Sequence, residues 1–182
     1  MKQNIVASTD SYNDMNNLAD AIPVGSDGLR ILPFGNGAER MLNSQNTGAS
    51  TFNLNFNKHN KAHLLRASLE GVAFSFVYGI DILKNDGVDL SAIRAGNDNL
   101  FRSEIFSNTI ATLVGTDIKI IDTTGAVGAA RAAGVSTGDF KTLNDAFSDN
   151  EHVTTYQPLK DKRMYEDAYL LWKQDLEKLY KK

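Results

Sequence analysis

Hydrophobic and polar positions along the chain divide it into short strands and long helices. The clearest stretch runs from Asn60 to Asn85 without a proline. In it Leu64, Leu65, Leu69, Val72, Ala73, Phe76, Ile80 and Leu83 recur at helical spacing. The spacing predicts one helix of about 36 Å at 1.5 Å per residue. Asn85-Asp86-Gly87 ends it, with Gly87 free to turn left-handed. Its apolar residues cover most of its circumference, so burial on several sides is expected. Upstream, Ser11 caps a short helix to Ala19 that stops before Pro23. A short strand, Leu29–Leu32, follows a turn-rich entry, and residues 33–48 read as loop. Phe52, Leu54 and Phe56 alternate with Asn53 and Asn55, the period of a half-buried strand.

Downstream the pattern alternates. A strand at Ile93–Ala95 meets Gly96-Asn97-Asp98-Asn99, and Ser103 caps a helix to Val114 whose first turn carries Glu104. A second strand, Ile118–Ile121, leads through Asp122-Thr123-Thr124-Gly125 into a small-residue helix, Ala126 to Ala133, ended by Gly134. Residues 136–157 are mixed, with a helical turn or two between Thr142 and Phe147. Tyr165, Tyr169, Trp172, Leu176 and Leu179 form the apolar stripe of a last helix, Asp161–Lys181, whose end carries Lys178, Lys181 and Lys182. Strand–helix–strand–helix over residues 92–133 implies an α/β layer fold with a mixed, partly parallel sheet and flanking helices. The less regular strands before residue 60 read as an insertion at the edge. There is no internal repeat and no linker, so residues 1–182 are taken as one domain.

Composition narrows the function. Lys plus Arg total 19 and Asp plus Glu 22 in 182 residues, a net charge of −3. That balance argues against a sequence-independent nucleic-acid binder. With no Cys there is no thiolate metal site and no Cys nucleophile. No apolar run reaches a membrane span and the first ten residues carry no secretory apolar stretch, so a cytoplasmic protein without membrane partners is expected.

His59 and His63 share a helix face, yet a zinc site needs a third and fourth ligand, so no metal site is assigned to the chain. Arg66 and Glu70 stand four apart; a helical ion pair is the favoured reading over an interdomain contact. Asp81 is expected to be solvated. There is no Walker loop, no strand-borne Gly-x-Gly-x-x-Gly and no nucleophile elbow. The turn Gly96–Asn99 stands out, because a glycine there lets a ligand approach the backbone and the next helix start favours polar or negative groups. Small residues from Gly125 to Ala130 permit close approach of a neighbouring element or a flat ligand, packing being the favoured cause.

In their order these segments resemble the C-terminal part of the FGGY carbohydrate kinases, xylulokinase-type members above all. Val24-Gly25-Ser26-Asp27-Gly28-Leu29 with Leu32-Pro33-Phe34 resembles the family's Pro-Gly-x-x-Gly-Leu entry. Gly37-Ala38-Glu39-Arg40 resembles its Gly-Glu-Arg loop. His59 with the run Leu64 to Phe74 resembles the family's long helix and is the most specific match. Gly96 to Phe106 falls at its adenosine motif, and Gly125 to Ala130 resembles its late small-residue helix. The usual run of three glycines is reduced to Gly96, while Gly96, Asn99, Phe101 and Ser103 fit a Gly-x-x-Asn-x-Phe-x-Ser variant.

The resemblance implies a partial ribonuclease H-like, actin-like ATPase domain, with Gly96, Asn99, Ser103, Gly125 and Ala126 binding nucleotide. It implies ATP and Mg²⁺, and a ketopentose phosphorylated on its 5-hydroxyl, D-xylulose. Another sugar or polyol (gluconate, ribulose, glycerol) and a non-catalytic interaction module are the alternatives. It further implies that the sugar site and the catalytic aspartate belong to an N-terminal domain beyond this chain, that the chain alone is inactive, and that it forms a homo-oligomer through the face left open.

Overall fold

The computed structural model describes residues 11–36, 39–88, 90–148 and 151–180. Gly37 and Ala38 of the loop motif, and Lys181 and Lys182 of the last helix, lie outside them.

Helix α1, Tyr12–Asp20, starts on a capping box. The Asp14 amide donates to Ser11 Oγ at 3.1 Å, and the Ser11 amide donates to the Asp14 carboxylate at 2.8 Å. Its Ala19 packs with Leu65 and Ile105. Strands β1, Arg30–Phe34, and β2, Gly48–Phe52, form a separate antiparallel pair. β1 runs through Pro33, where a loop was expected. In a two-stranded sheet a proline can turn its missing N–H outward.

The alternation from Phe52 to Phe56 is not a strand. Asn53 adopts φ +58° and its side-chain amide donates to the Gly28 carbonyl at 3.0 Å. The Asn57 amide donates to Asn55 Oδ1 at 2.9 Å. These asparagines act as turn formers, and Phe56 is left 88% exposed.

Helix α2, Lys61–Asn85, begins at Asn60, whose Oδ1 accepts the Ala62 amide at 2.9 Å. As its all-round apolarity implied, it is buried on several sides. Leu65 faces α1, Phe74 faces the last helix, and Ala73 and Val77 enter the core of the second sheet. Gly71 is required: a β-carbon there would collide with the Ile31 carbonyl of β1. Gly87, at φ +85°, ends the helix region as expected.

The second sheet is mixed, in the order β3-β4-β5. β3, Ile93–Gly96, and β4, Ile118–Ile121, are parallel, while β5, His152–Tyr156, pairs antiparallel to β4. Helix α3, Glu104–Val114, packs Phe106, Ile110 and Ala111 onto Ala95, Ile118 and Ile120. Helix α4, Gly125–Thr137, continues through Gly134 to a left-handed Gly138 at φ +86°. Gly134 does not stop it; its bare Cα instead makes room for the Phe140 ring. The short α5, Leu143–Phe147, starts at Thr142, and β5 lies in the stretch that read as mixed.

Helix α6, Arg163–Tyr180, buries Tyr165, Trp172 and Leu176 of the expected stripe and leaves Tyr169 and Leu179 partly buried. Trp172 is fully buried among Phe34, Phe74, Tyr78 and Tyr169, and its Nε1–H donates to the Ile31 carbonyl at 2.9 Å. Asp81 is not simply solvated, because its carboxylate accepts the Tyr169 hydroxyl at 2.8 Å. Among the described residues no helix is long and apolar enough to cross a membrane.

Candidate functional site

Parallel pairing puts the carboxyl ends of β3 and β4 at one edge of the sheet. The last register pair is Gly96↔Ile121. From there the chain enters two loops, residues 97–103 and 122–124. The Asn97 amide donates to the Ile121 carbonyl at 3.0 Å, and so does the Thr123 amide at 2.8 Å. A β-carbon on Gly96 would stand 2.5 Å from the Thr123 carbonyl oxygen. Glycine at 96 is therefore the condition for the two loops to lie against each other.

Asn99 follows at φ +49°, opening a tight 3-10 turn, Asn99–Arg102. Asparagine tolerates that region better than most residues because its short side chain bonds locally. On the second loop, Thr124 caps α4, with its Oγ1 accepting the Val127 amide at 3.3 Å. Gly125 and Ala126 form the first turn, where amides have no partner within the helix. A β-carbon at Gly125 or Gly128 would meet nothing within 4 Å, and α4 buries none of its residues. Among the described residues, packing thus gives no reason for the small residues at 125 and 128. They border open space at the carboxyl edge.

Of the five expected site residues, Gly96 closes β3, Asn99 lies on the first loop, and Gly125 and Ala126 open α4, so these four flank the junction of the two loops. Ser103 differs. It is buried, and its hydroxyl does not cap α3 but donates to Asn16 Oδ1 of α1 at 2.7 Å. Its backbone is paired as well, the amide donating to the Leu100 carbonyl at 2.9 Å and the carbonyl accepting the Ser107 amide at 3.0 Å.

A second cluster joins two segments that the sequence showed only separately, the Gly25–Gly28 turn and the Arg66–Glu70 pair. Gly25, Ser26, Asp27 and Gly28 all adopt positive φ, from 50° to 92°. For Ser26 and Asp27 such backbone costs energy that neighbours must offset. Buried Glu70 accepts the Gly25 amide and the Ser26 hydroxyl, each at 3.0 Å, and Arg66 Nε at 2.7 Å. The Arg66–Glu70 pair is the helical ion pair expected, but inside the protein rather than on a wet face. Burial pushes the Glu70 carboxyl up from its ordinary range, against the pull of Arg66 and of the turn's donors. On the other flank His63 Nε2 meets the Asp27 carboxylate at 3.2 Å, and Asn60 donates its amide to His63 Nδ1 at 3.2 Å. His59 is engaged as well, its Nδ1 accepting the Asn55 amide at 3.1 Å and its Nε2 lying 3.4 Å from the Asp27 carbonyl. Among the described residues no group of three or more acidic, His or Cys side chains is placed to hold a metal. The sequence signal for the cluster was the pair of glycines flanking Ser-Asp, with Glu70 at a distance that no local pattern reveals.

An α/β domain with two loops meeting at the carboxyl ends of parallel strands has the arrangement in which such sheets bind ligands. The chain belongs to the FGGY family of carbohydrate kinases, whose C-terminal domain matches residues 2–137. It is similar to the xylulose kinase of Haemophilus influenzae, 29% identical over 174 residues that cover 92% of this chain and 34% of that one. It is also 28% identical over 165 residues to the L-xylulose/3-keto-L-gulonate kinase of Escherichia coli, covering 87% of this chain and 32% of the relative. Among solved structures, ligand-bound xylulose kinase from Lactobacillus acidophilus superposes with a TM-score of 0.81 at 21% identity, over 98% of this chain and 36% of that one. The fold is thus that of the actin-like ATPases, and the chain spans about a third of the length of the curated relatives it matches.

Proposed function

We propose that this chain is the nucleotide-side, C-terminal part of an ATP-dependent sugar kinase that moves the γ-phosphate of ATP to the 5-hydroxyl of D-xylulose. The observation that carries the reading is the contact of the 96–99 and 122–125 loops at the carboxyl edge of a family C-terminal domain. Phosphoryl transfer asks little covalent chemistry of the protein and much positioning. In this reading the residues of the chain do the positioning. Gly96 and Asn99 form one wall for the adenosine, with Ser103 behind them. Gly125 and Ala126 form the other wall, and their amides and the helix dipole favour the phosphate end of the ligand. Mg²⁺ would arrive with the nucleotide and be held by its phosphates.

The choice of xylulose is supported by the xylulose kinases of Haemophilus influenzae and Bacillus subtilis, each matched over 92% of this chain, against 87% for the L-xylulose/3-keto-L-gulonate kinase and about two thirds for glycerol kinases. The sugar site and the proton acceptor for the attacking hydroxyl are assigned to polypeptide outside these residues.

The test is an ATP titration followed by amide chemical shifts. Shifts are expected to centre on Gly96, Asn99, Ser103, Gly125 and Ala126. Shifts confined to α6, or none at saturating ATP, would overturn the reading.

A further inference from the structure

Two acceptors at the loop junction have no donor. Asp98 stands just before the 3-10 turn Asn99–Arg102, where an aspartate commonly caps, yet its side chain makes no cap bond. It turns back instead. The point that a β-carbon on Gly96 would occupy lies 3.4 Å from Asp98 Oδ1 and 2.5 Å from the Thr123 carbonyl oxygen. A carboxylate on the first loop and a carbonyl on the second thus converge over the bare Cα of Gly96. Among the described residues neither group accepts a hydrogen bond, and Asp98 has no ion pair. Asp98 is nonetheless partly buried. A carboxylate drawn out of water without a partner is costly unless a ligand supplies the donor.

We infer that Asp98 sets the nucleotide specificity of this site by accepting a hydrogen bond from a ribose hydroxyl, with the Thr123 carbonyl taking the neighbouring one. The inference rests on the nucleotide site proposed above. A carboxylate and a carbonyl only accept, so together they match a ligand part that presents two donors side by side, as the 2′- and 3′-hydroxyls of a ribose do. The carboxylate disfavours the phosphates by charge. Position selects the sugar over the base. Thr123 stands two residues before Gly125, whose amide is assigned to the phosphate end, and the ribose is the part joined to the phosphates. The base then lies towards Asn99. Dinucleotide-binding α/β sheets use an acidic side chain on a ribose hydroxyl in the same way.

The test compares nucleotides in the 182-residue chain by the amide titration described above. The ligands are ATP, 2′-deoxy-ATP, 3′-deoxy-ATP and inosine triphosphate, which lacks the exocyclic amine of adenine. Each is titrated into the parent chain, Asp98→Ala and Asp98→Asn. The parent should bind at least one deoxynucleotide about tenfold more weakly than ATP, the size of one hydrogen bond to a charged group. In Asp98→Ala the ratio between ATP and that deoxynucleotide should fall to about one. All these ligands carry the same triphosphate, so removing a negative charge as such leaves the ratio unchanged. Asp98→Asn keeps one acceptor oxygen and should retain part of the preference.

Shifts at Gly96, Gly125 and Ala126 with no preference for ATP over the deoxynucleotides would overturn the role of Asp98 and still uphold the nucleotide site. That comparison is made in the parent chain and stands whether or not a variant folds. A preference that survives unchanged in Asp98→Ala overturns the role equally. A penalty confined to inosine triphosphate and abolished in the variant would assign Asp98 to the base and overturn the ribose contact. Shifts of the Asp98 and Thr123 amides on adding Mg²⁺ alone would assign the two acceptors to a cation, which also overturns it. If no nucleotide at saturation moves the two loops, the site itself falls and the inference with it.

Discussion

The carbonyl oxygen of Thr123 occupies the place that any side chain on residue 96 would need: a β-carbon on Gly96 would come within 2.5 Å of it. The obstacle is backbone and cannot swing aside. Gly96→Val should therefore push the two loops apart, at a stability cost of about 1–3 kcal/mol, and should abolish the ATP-induced shifts. Thermal unfolding and the amide titration check both. Unchanged ATP shifts in the valine variant would mean that the ligand does not use this junction.

The chain on its own should not turn over D-xylulose. In the proposed function it supplies only the nucleotide wall, and phosphoryl transfer requires both reactants to be held in line. A coupled assay for ADP release, with and without the sugar, checks this. Sugar-dependent turnover above background by the pure chain would place the whole active site within these 182 residues.

Glu70 ties Arg66 to the strained turn. Glu70→Ala would strand a buried guanidinium and remove acceptors from the Gly25 amide and the Ser26 hydroxyl. Breaking one side of a buried pair costs about 3–5 kcal/mol, so the variant should unfold at clearly lower denaturant. Glu70→Gln keeps an acceptor for the turn and should lose less. Equal stability of the alanine variant and the parent chain would mean that the turn does not depend on this carboxylate.

Alkali should weaken the fold through its tyrosines. Burial pushes the phenol of Tyr169 up, and donation to Asp81 pushes it further in the same direction. Burial also raises Tyr165 and Tyr156. For an acid whose folded value lies above its unfolded one, the stabilising contribution is complete below the ordinary tyrosine value of about 10. It is lost as pH rises through the folded value. Denaturation midpoints should hold steady at pH 8–9 and fall above about pH 10. Tyr169→Phe should cost about 1 kcal/mol at pH 8 and flatten the alkaline fall. An unchanged slope in that variant would remove Tyr169 from the account.

The sequence revealed most about elements whose residues carry their own instructions. Asn60 and the apolar run to Asn85 define α2, and Ile118–Ile121 is a strand in both readings. Where a side chain has two uses, local pattern misled. Asn53 and Asn55 alternate with Phe52, Leu54 and Phe56 as if in a strand, yet they serve as turn formers, and the strand lies just upstream. Gly134 looks like a helix stop but is a seat for Phe140. β5 escaped notice because Val153, Thr154 and Thr155 become a strand only through pairing with β4. Gly96 and Gly125 were legible as candidates for the site, but the close approach of Gly96 to the Thr123 carbonyl was not, since it depends on parallel register. The grip of Glu70 on Ser26, 44 residues away, is a tertiary fact with no local signature.

Helix α2 also bears on how the chain folds. It packs against β1 on one side and against α1 and α3 on others, and it reaches both sheet cores, through Phe74 in one and Ala73 and Val77 in the other. An isolated two-stranded pair such as β1–β2 has little stability until a helix packs on it. The helix is thus the natural nucleus, and substitutions such as Ala73→Gly or Val77→Ala should slow folding more than they speed unfolding. Changes confined to β5 or α4 should act mainly on the unfolding rate, because those elements join a structure already assembled around α2.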